Sequence, residues 1–348
     1  MVEGGKPRFG VCGLQTVPIS ARGEPWFDDG NIILLAADAT SDDAAAFKVH
    51  RGVLARHSEV FQSMFELSRP MSGDVEAAYN CPVVHMHDRP TELSALIRAL
   101  YDGASFEHRG IQDFYHVAGI LRLATKYFIA HLRREAIRHL LKTWPHTLAG
   151  HDRFIERAVK APLVDDLTYP YVHPLHVLNL ARETHVRIIV PSALYFLSLY
   201  PLPDILKGDH PKLRVEHPSR PTSELSARDL QDYTLMFQHR IDVILDFIRQ
   251  SCSGRTPTKG CQGKPGLCQK AFVRLGSRLS RSWVVRTGPL HYTVQAIDEL
   301  ADDPNVCGPC RRAFREDVVA LRERIWAELP GIIGLPSWEE LEKADLAS

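Results

Sequence analysis

The chain has no surplus of either charge: its 348 residues carry 42 Lys and Arg against 42 Asp and Glu. A bare cationic nucleic-acid binder is disfavoured on that ground, because phosphate affinity rests on an excess of Lys and Arg. Long apolar runs are also missing. The most apolar stretch, Ile188 to Tyr200, is cut by Pro191 and is shorter than the ~20 residues that a membrane span needs. Behind Lys6 and Arg8 no continuous apolar region follows, so no secretory signal is read and an intracellular protein is expected, in the cytoplasm or the nucleus. There is no internal repeat and no low-complexity tract.

Catalytic signatures are lacking too. The sequence has no G-x-S-x-G, no Walker A loop, no G-x-G-x-x-G after a strand and no H-E-x-x-H. Asp165-Asp166 and Glu339-Glu340 are adjacent carboxylates, and neighbours on a helix point in different directions, so neither reads as an acid/base pair. His85 and His87 would share a strand face as a surface metal pair, but the reading preferred is a strand end entering a turn. No catalytic residue and no organic cofactor site is assigned.

What is present is ample core material, 45% apolar residues, and a length that suggests roughly two or three domains. Residues 1–23 read as a flexible lead. Residues 24–143 begin with short strands, at Asn31–Ala36, Ala45–His50 and Pro82–Met86. A hairpin turn at Thr40–Asp43 and a polar loop at 68–80 separate them, and a helical cluster follows, so the segment reads as an α+β domain. Residues 150–250 read as mostly helical, with a loop at 201–223. The strongest helix there has Leu230, Tyr233, Phe237, Ile241, Ile244, Leu245 and Ile248 on one stripe and Ser226 with Asp229 as a capping pair. Residues 251–348 form a Cys-bearing helical region.

Residues 47–65 read Phe47-x-x-His50-x-x-x-Leu54-x-x-x-Ser58-x-x-Phe61-x-x-Met64-Phe65. This resembles the BTB/POZ signature, with every fixed position filled. Asp29-Gly30-Asn31-Ile32-Ile33-Leu34 resembles the family's first strand. Val83 to Tyr101 resembles its strand, acidic turn and helix ending in Leu-Tyr. Leu121 to Tyr127 resembles its L-x-x-A-x-K-Y junction. Phe47, Leu54, Phe61, Met64 and Phe65 have core chemistry, so they specify a fold and not a reaction. His50 reads as a buried structural histidine held by a backbone hydrogen bond. The resemblance implies that Asn31 and Arg51 lie at a dimer interface. Many members place an Asp where Asn31 stands, so the charged pocket of that interface is altered here. The longer layout, with Arg322 to Pro330 and Leu335 to Leu341, resembles fungal, mushroom-type (basidiomycete) BTB proteins with a Cys-bearing C-terminus.

Seven cysteines, an odd number, argue against a disulfide framework. Cys12 and Cys81 stand alone. Cys307-Gly308-Pro309-Cys310 is a knuckle whose short spacing lets two thiolates meet one tetrahedral ion. Cys261 and Cys268 are the expected second pair, making a structural zinc site, with Cys252 a reserve ligand and His291 a weaker one. Unliganded thiols and a redox pair stay open as other readings. Arg311, Arg312, Arg315, Arg322 and Arg324 after the knuckle are interleaved with Glu316, Asp317, Glu323 and Glu328, so they read as a solvated helix face.

The expected function is non-catalytic: a protein-protein interaction module or adaptor acting through its BTB domain. It would self-associate as a homodimer or dock a partner, and the family suggests linking a client to a cullin-type ubiquitin ligase. The alternatives are a transcription-associated regulator whose tail meets DNA, and an enzyme with an unfamiliar site in the helical half.

Overall fold

The computed structural model describes residues 22–37, 44–67, 77–78, 81–107 and 109–347. Most of the N-terminal lead, the turn at Thr40–Asp43, most of the 68–80 loop and Cys12 lie outside the described residues. The chain divides into two compact units, Met1–Tyr101 and Asp102–Ser348.

The first unit holds a small sheet and three helices. Strands β1 (Ile32–Ala37), β2 (Ala44–Val49), β3 (Ala77–Ala78) and β4 (Cys81–Met86) pair in the order β2-β1-β4-β3. β1 runs antiparallel to β2, with Leu34 opposite Phe47, and parallel to β4, with Ile33 opposite Val83. A strand in this central position is covered on both faces, which is why Ile32 to Ala36 form an unbroken apolar run and are all buried. The short β3 falls within the span read from sequence as loop.

Helices α1 (Arg51–His57) and α2 (Glu59–Leu67) follow β2. Ser58 separates them and starts α2, its hydroxyl accepting the Phe61 N–H at 3.1 Å. Leu54, Phe61 and Phe65 go into the core, each contributing about 1.5–3 kcal/mol of burial. Helix α3 (Pro90–Asp102) buries Leu93, Leu96, Ile97 and Leu100, the i, i+3, i+4, i+7 pattern of one face.

The second unit is mostly helical. Its elements are α4 (Ile111–Lys126), α5 (Ala130–Leu140), α6 (Leu148–Lys160), α7 (Pro174–Glu183), α8 (Val190–Leu197), α9 (Leu202–Lys207), α10 (Ala227–Asp246), α11 (Leu267–Ser282), α12 (Pro289–Ala301), α13 (Gly308–Ile332) and α14 (Trp338–Leu346). Helix α9 and a 3-10 turn at Pro211–Leu213 occupy part of the span read as loop. Two cores form. The larger runs from Ile111 on α4 to Leu341 on α14. The smaller joins Ile244, a π-helical turn at Phe247–Ser253, α11, α12 and the start of α13. α10 and α13 serve both: Phe314 and Val318 enter the small core, and Ile325, Trp326 and Leu329 the large one. Among the described residues no helix is long and apolar enough to cross a membrane.

The buried face of α10 and the place of Arg322 differ from what the sequence suggests. The buried stripe of α10 is Asp229, Asp232, Tyr233, Met236, Arg240 and Ile244, whereas Leu230, Phe237, Ile241 and Leu245 are only half-buried. The buried carboxylates are held by Arg182 of α7, at 2.9 Å to Asp229 and 2.6 Å to Asp232. Arg240 donates to the carbonyls of Thr287 and Ser198. Arg322, expected on a solvated face, is also buried. It donates to the Leu290 carbonyl at 3.1 Å and to the Asp152 carboxylate at 2.5 Å. Hydropathy cannot place these groups, because their partners sit on elements remote in sequence.

Candidate functional site

The signature residues converge on the first unit's core. Phe47 lies on β2, Leu54 on α1, and Phe61 and Phe65 on α2, all buried, with Met64 half-buried beside them. His50 is not the fully buried, backbone-held histidine expected from sequence. It is half-buried and its partners are side chains. The Tyr101 hydroxyl lies 2.9 Å from both the His50 N–H and its Nδ1. One hydroxyl can accept from the amide and donate to Nδ1. That leaves the ring proton on Nε2, 3.2 Å from the Asp29 carboxylate. Phe27 stacks on Tyr101 at 4.4 Å. Burial raises the Tyr101 pKa, and the His50 amide offsets part of that rise. Tyr101 was visible as the Tyr of a Leu-Tyr pair, but its partnership with His50 was not.

Asn31 and Arg51 come together. The Asn31 side-chain oxygen accepts the Arg51 N–H at 2.8 Å, satisfying one of the open donors at the start of α1. The Arg51 guanidinium donates to the Phe65 carbonyl at 2.8 Å and sits 5.5 Å over the Phe65 ring. It ties the two ends of the α1–α2 pair together. His85 lies on β4 and His87 just past its end, both exposed.

The structure brings Cys261, Cys268, Cys307 and Cys310 into one group, with all four sulfurs within 4.8 Å of one another. Cys261 lies in the loop before α11 and Cys268 on its first turn, while Cys307 caps α13 and Cys310 sits on its first turn. Cys261 Sγ is 3.7 Å from Cys268 Sγ and 3.7 Å from Cys307 Sγ. That is far beyond disulfide bonding. Four sulfurs about 2.3 Å from a central zinc lie about 3.8 Å apart at the corners of a tetrahedron, so the donor set fits such an ion.

The surroundings suit thiolates. The Gln262 N–H donates to Cys307 Sγ and the Cys307 N–H to Cys268 Sγ, each at 3.4 Å. Thr258 Oγ1 lies 3.7 Å from Cys310 Sγ. The Cys310 and Gln262 amides bring the Cys307 thiol down to about 6, whereas burial, aided by the neighbouring thiols, pushes Cys268 up to about 12. Four thiols alone cannot all ionise at this separation, because their charges repel; a divalent cation removes that obstacle. Gly263 is required: a Cβ there would stand 2.8 Å from Cys268 Sγ. Behind the group, the Arg255 guanidinium sits between the Phe272 and Phe314 rings, at 5.4 and 5.3 Å, and pairs with Asp317. Each ring lies one turn after a cysteine, Cys268 or Cys310. Arg255 was not singled out from sequence.

Cys252 stands apart, buried in the small core with its thiol pushed up to about 12 by burial. His291 is exposed and lines a cleft of about 470 Å³ with His151, Asp152 and Arg322. Cys81 is buried and donates to the Gly30 carbonyl at 3.3 Å.

A search of curated proteins finds no match to the chain. A family model does match: residues 33–143 fit the BTB/POZ domain. The match takes in the sheet, the signature helices and the chain through α5. The protein thus carries a BTB/POZ domain, a non-catalytic protein-protein interaction module, followed by a mostly helical region.

Proposed function

We propose that the whole chain is a non-catalytic interaction protein. Its BTB/POZ domain, taken as residues 24–143, self-associates and docks a protein partner, and the helical region (150–250) with the Cys-bearing region (251–348) holds a client. The observation that carries this reading is the domain match at 33–143, together with a signature whose side chains are core or fold-bracing groups. The reading extends to a layout resembling that of fungal BTB proteins with a Cys-bearing C-terminus. Delivery of the client to a cullin-type ubiquitin ligase is its finer form. Affinity purification of the full chain tests this: a stoichiometric cullin supports it, and a stoichiometric complex without one removes the cullin role.

The same reading assigns a structural zinc to Cys261, Cys268, Cys307 and Cys310. The ion would tie the loop before α11 to the start of α13 and so close the small core. Metal analysis of the purified chain should find about one zinc per protein, lost together with helical signal on chelation.

A further inference from the structure

The zero net charge averages over an uneven distribution. From residue 247 to 297 there is no Asp or Glu, the longest acid-free stretch of the chain. Four of its bases are neutralised from outside it: Arg255 by Asp317, Arg274 by Asp303, Arg278 by Glu299 and Arg286 by Asp204. Lys259, Lys264 and Lys270 are exposed and have no such partner among the described residues. The cysteine group gathers them. Lys259 and Lys264 flank Cys261, and Lys270 follows Cys268. Across the group, Arg312 and Arg315 on the first turns of α13 are likewise exposed and without an ion-pair partner.

One explanation is that these charges offset the thiolates. Four thiolates around one zinc carry a net charge of about −2, which the five bases exceed even with the exposed Glu316 of α13 set against them. Lys259 and Lys264 face solvent on a loop, Lys259-Gly260-Cys261-Gln262-Gly263-Lys264-Pro265-Gly266, that offers no large apolar side chain, and Lys270, Arg312 and Arg315 stand on the adjoining first turns of α11 and α13. A peptide partner held by apolar anchors finds no hold there. A phosphate backbone needs only exposed cations and accessible amides.

We propose that the basic rim of the four-cysteine group binds the phosphate backbone of a nucleic acid. The rim follows from the thiol geometry whether or not a metal is bound, and the test separates the two. The full chain is titrated by fluorescence anisotropy against a labelled DNA duplex and an RNA single strand, each about 20 nucleotides long, at 50 to 200 mM salt. Three to five phosphate contacts on the duplex should weaken binding about 40- to 500-fold over that range. The variant Lys259→Glu/Lys264→Glu/Lys270→Glu should bind at least tenfold more weakly, with metal content and circular dichroism unchanged, and the triple Lys→Arg variant should bind normally. The proposal is overturned by no binding to either probe at 50 mM salt, or by equal binding of the Glu variant. It is also overturned by tighter binding of a poly-glutamate peptide, or by loss of metal in the Glu variant, which would assign the charges to the thiolates.

Discussion

At Tyr101 one hydroxyl holds both the backbone N–H and the ring of His50. Removing it in Tyr101→Phe leaves a half-buried amide and a ring nitrogen without their partner. The expected cost is about 1–3 kcal/mol in urea unfolding. At Gly263 the controlling atom is one that is missing. Gly263→Ala would drive a Cβ against Cys268 Sγ, and metal affinity, measured by competition with a chromophoric chelator, should fall about 10- to 100-fold while the BTB domain stays folded. Two histidines supply a third expectation. Burial lowers His173 to about 2 and His176 to about 4, against ~6.5 in an unfolded chain. Above that pH both states are neutral and stability is complete. As pH falls below it the unfolded chain takes up protons that the folded one refuses, so stability drops, by about 2 kcal/mol per histidine at pH 5. Thermal melts from pH 8 to 5 should show that slope, and His176→Gln should reduce it.

Among elements, the pairing of α7 with α10 depends on one guanidinium. Arg182→Ala would leave the buried carboxylates of Asp229 and Asp232 uncompensated, a change expected to cost about 3–5 kcal/mol by denaturant titration. Such clamps were the least legible feature of the sequence. Periodicity assigned Arg240 and Arg322 to no buried role, because nothing local shows that Ser198, Thr287, Leu290 and Asp152 will meet them. The strands and the signature helices were readable because their information is local: an unbroken apolar run for β1, a Ser before α2, and apolar residues at helical spacing. The cysteine pairs were readable in part. The C-x-x-C spacing is local, but the convergence of Cys261 and Cys268 on it depends on the packing of α11 against the start of α13, and Cys252 and His291 turned out to lie elsewhere.

For the molecule as a whole, the boundary that packing draws at Tyr101/Asp102 lies inside the family match at 33–143. Helices α4 and α5 of that match share a continuous core with α7, α8 and α14. The C-terminal half is therefore no loose appendage to the last helices of the domain, and truncation near residue 143 should expose apolar surface and yield aggregated protein by size-exclusion chromatography. The central claim, that the full chain works by binding other proteins, is tested most directly by its mass in solution. Light scattering at tens of micromolar should give about twice the 39.2 kDa of one chain, as self-association through a BTB/POZ domain requires. A 39.2 kDa monomer that also purifies without a stoichiometric partner would contradict the account.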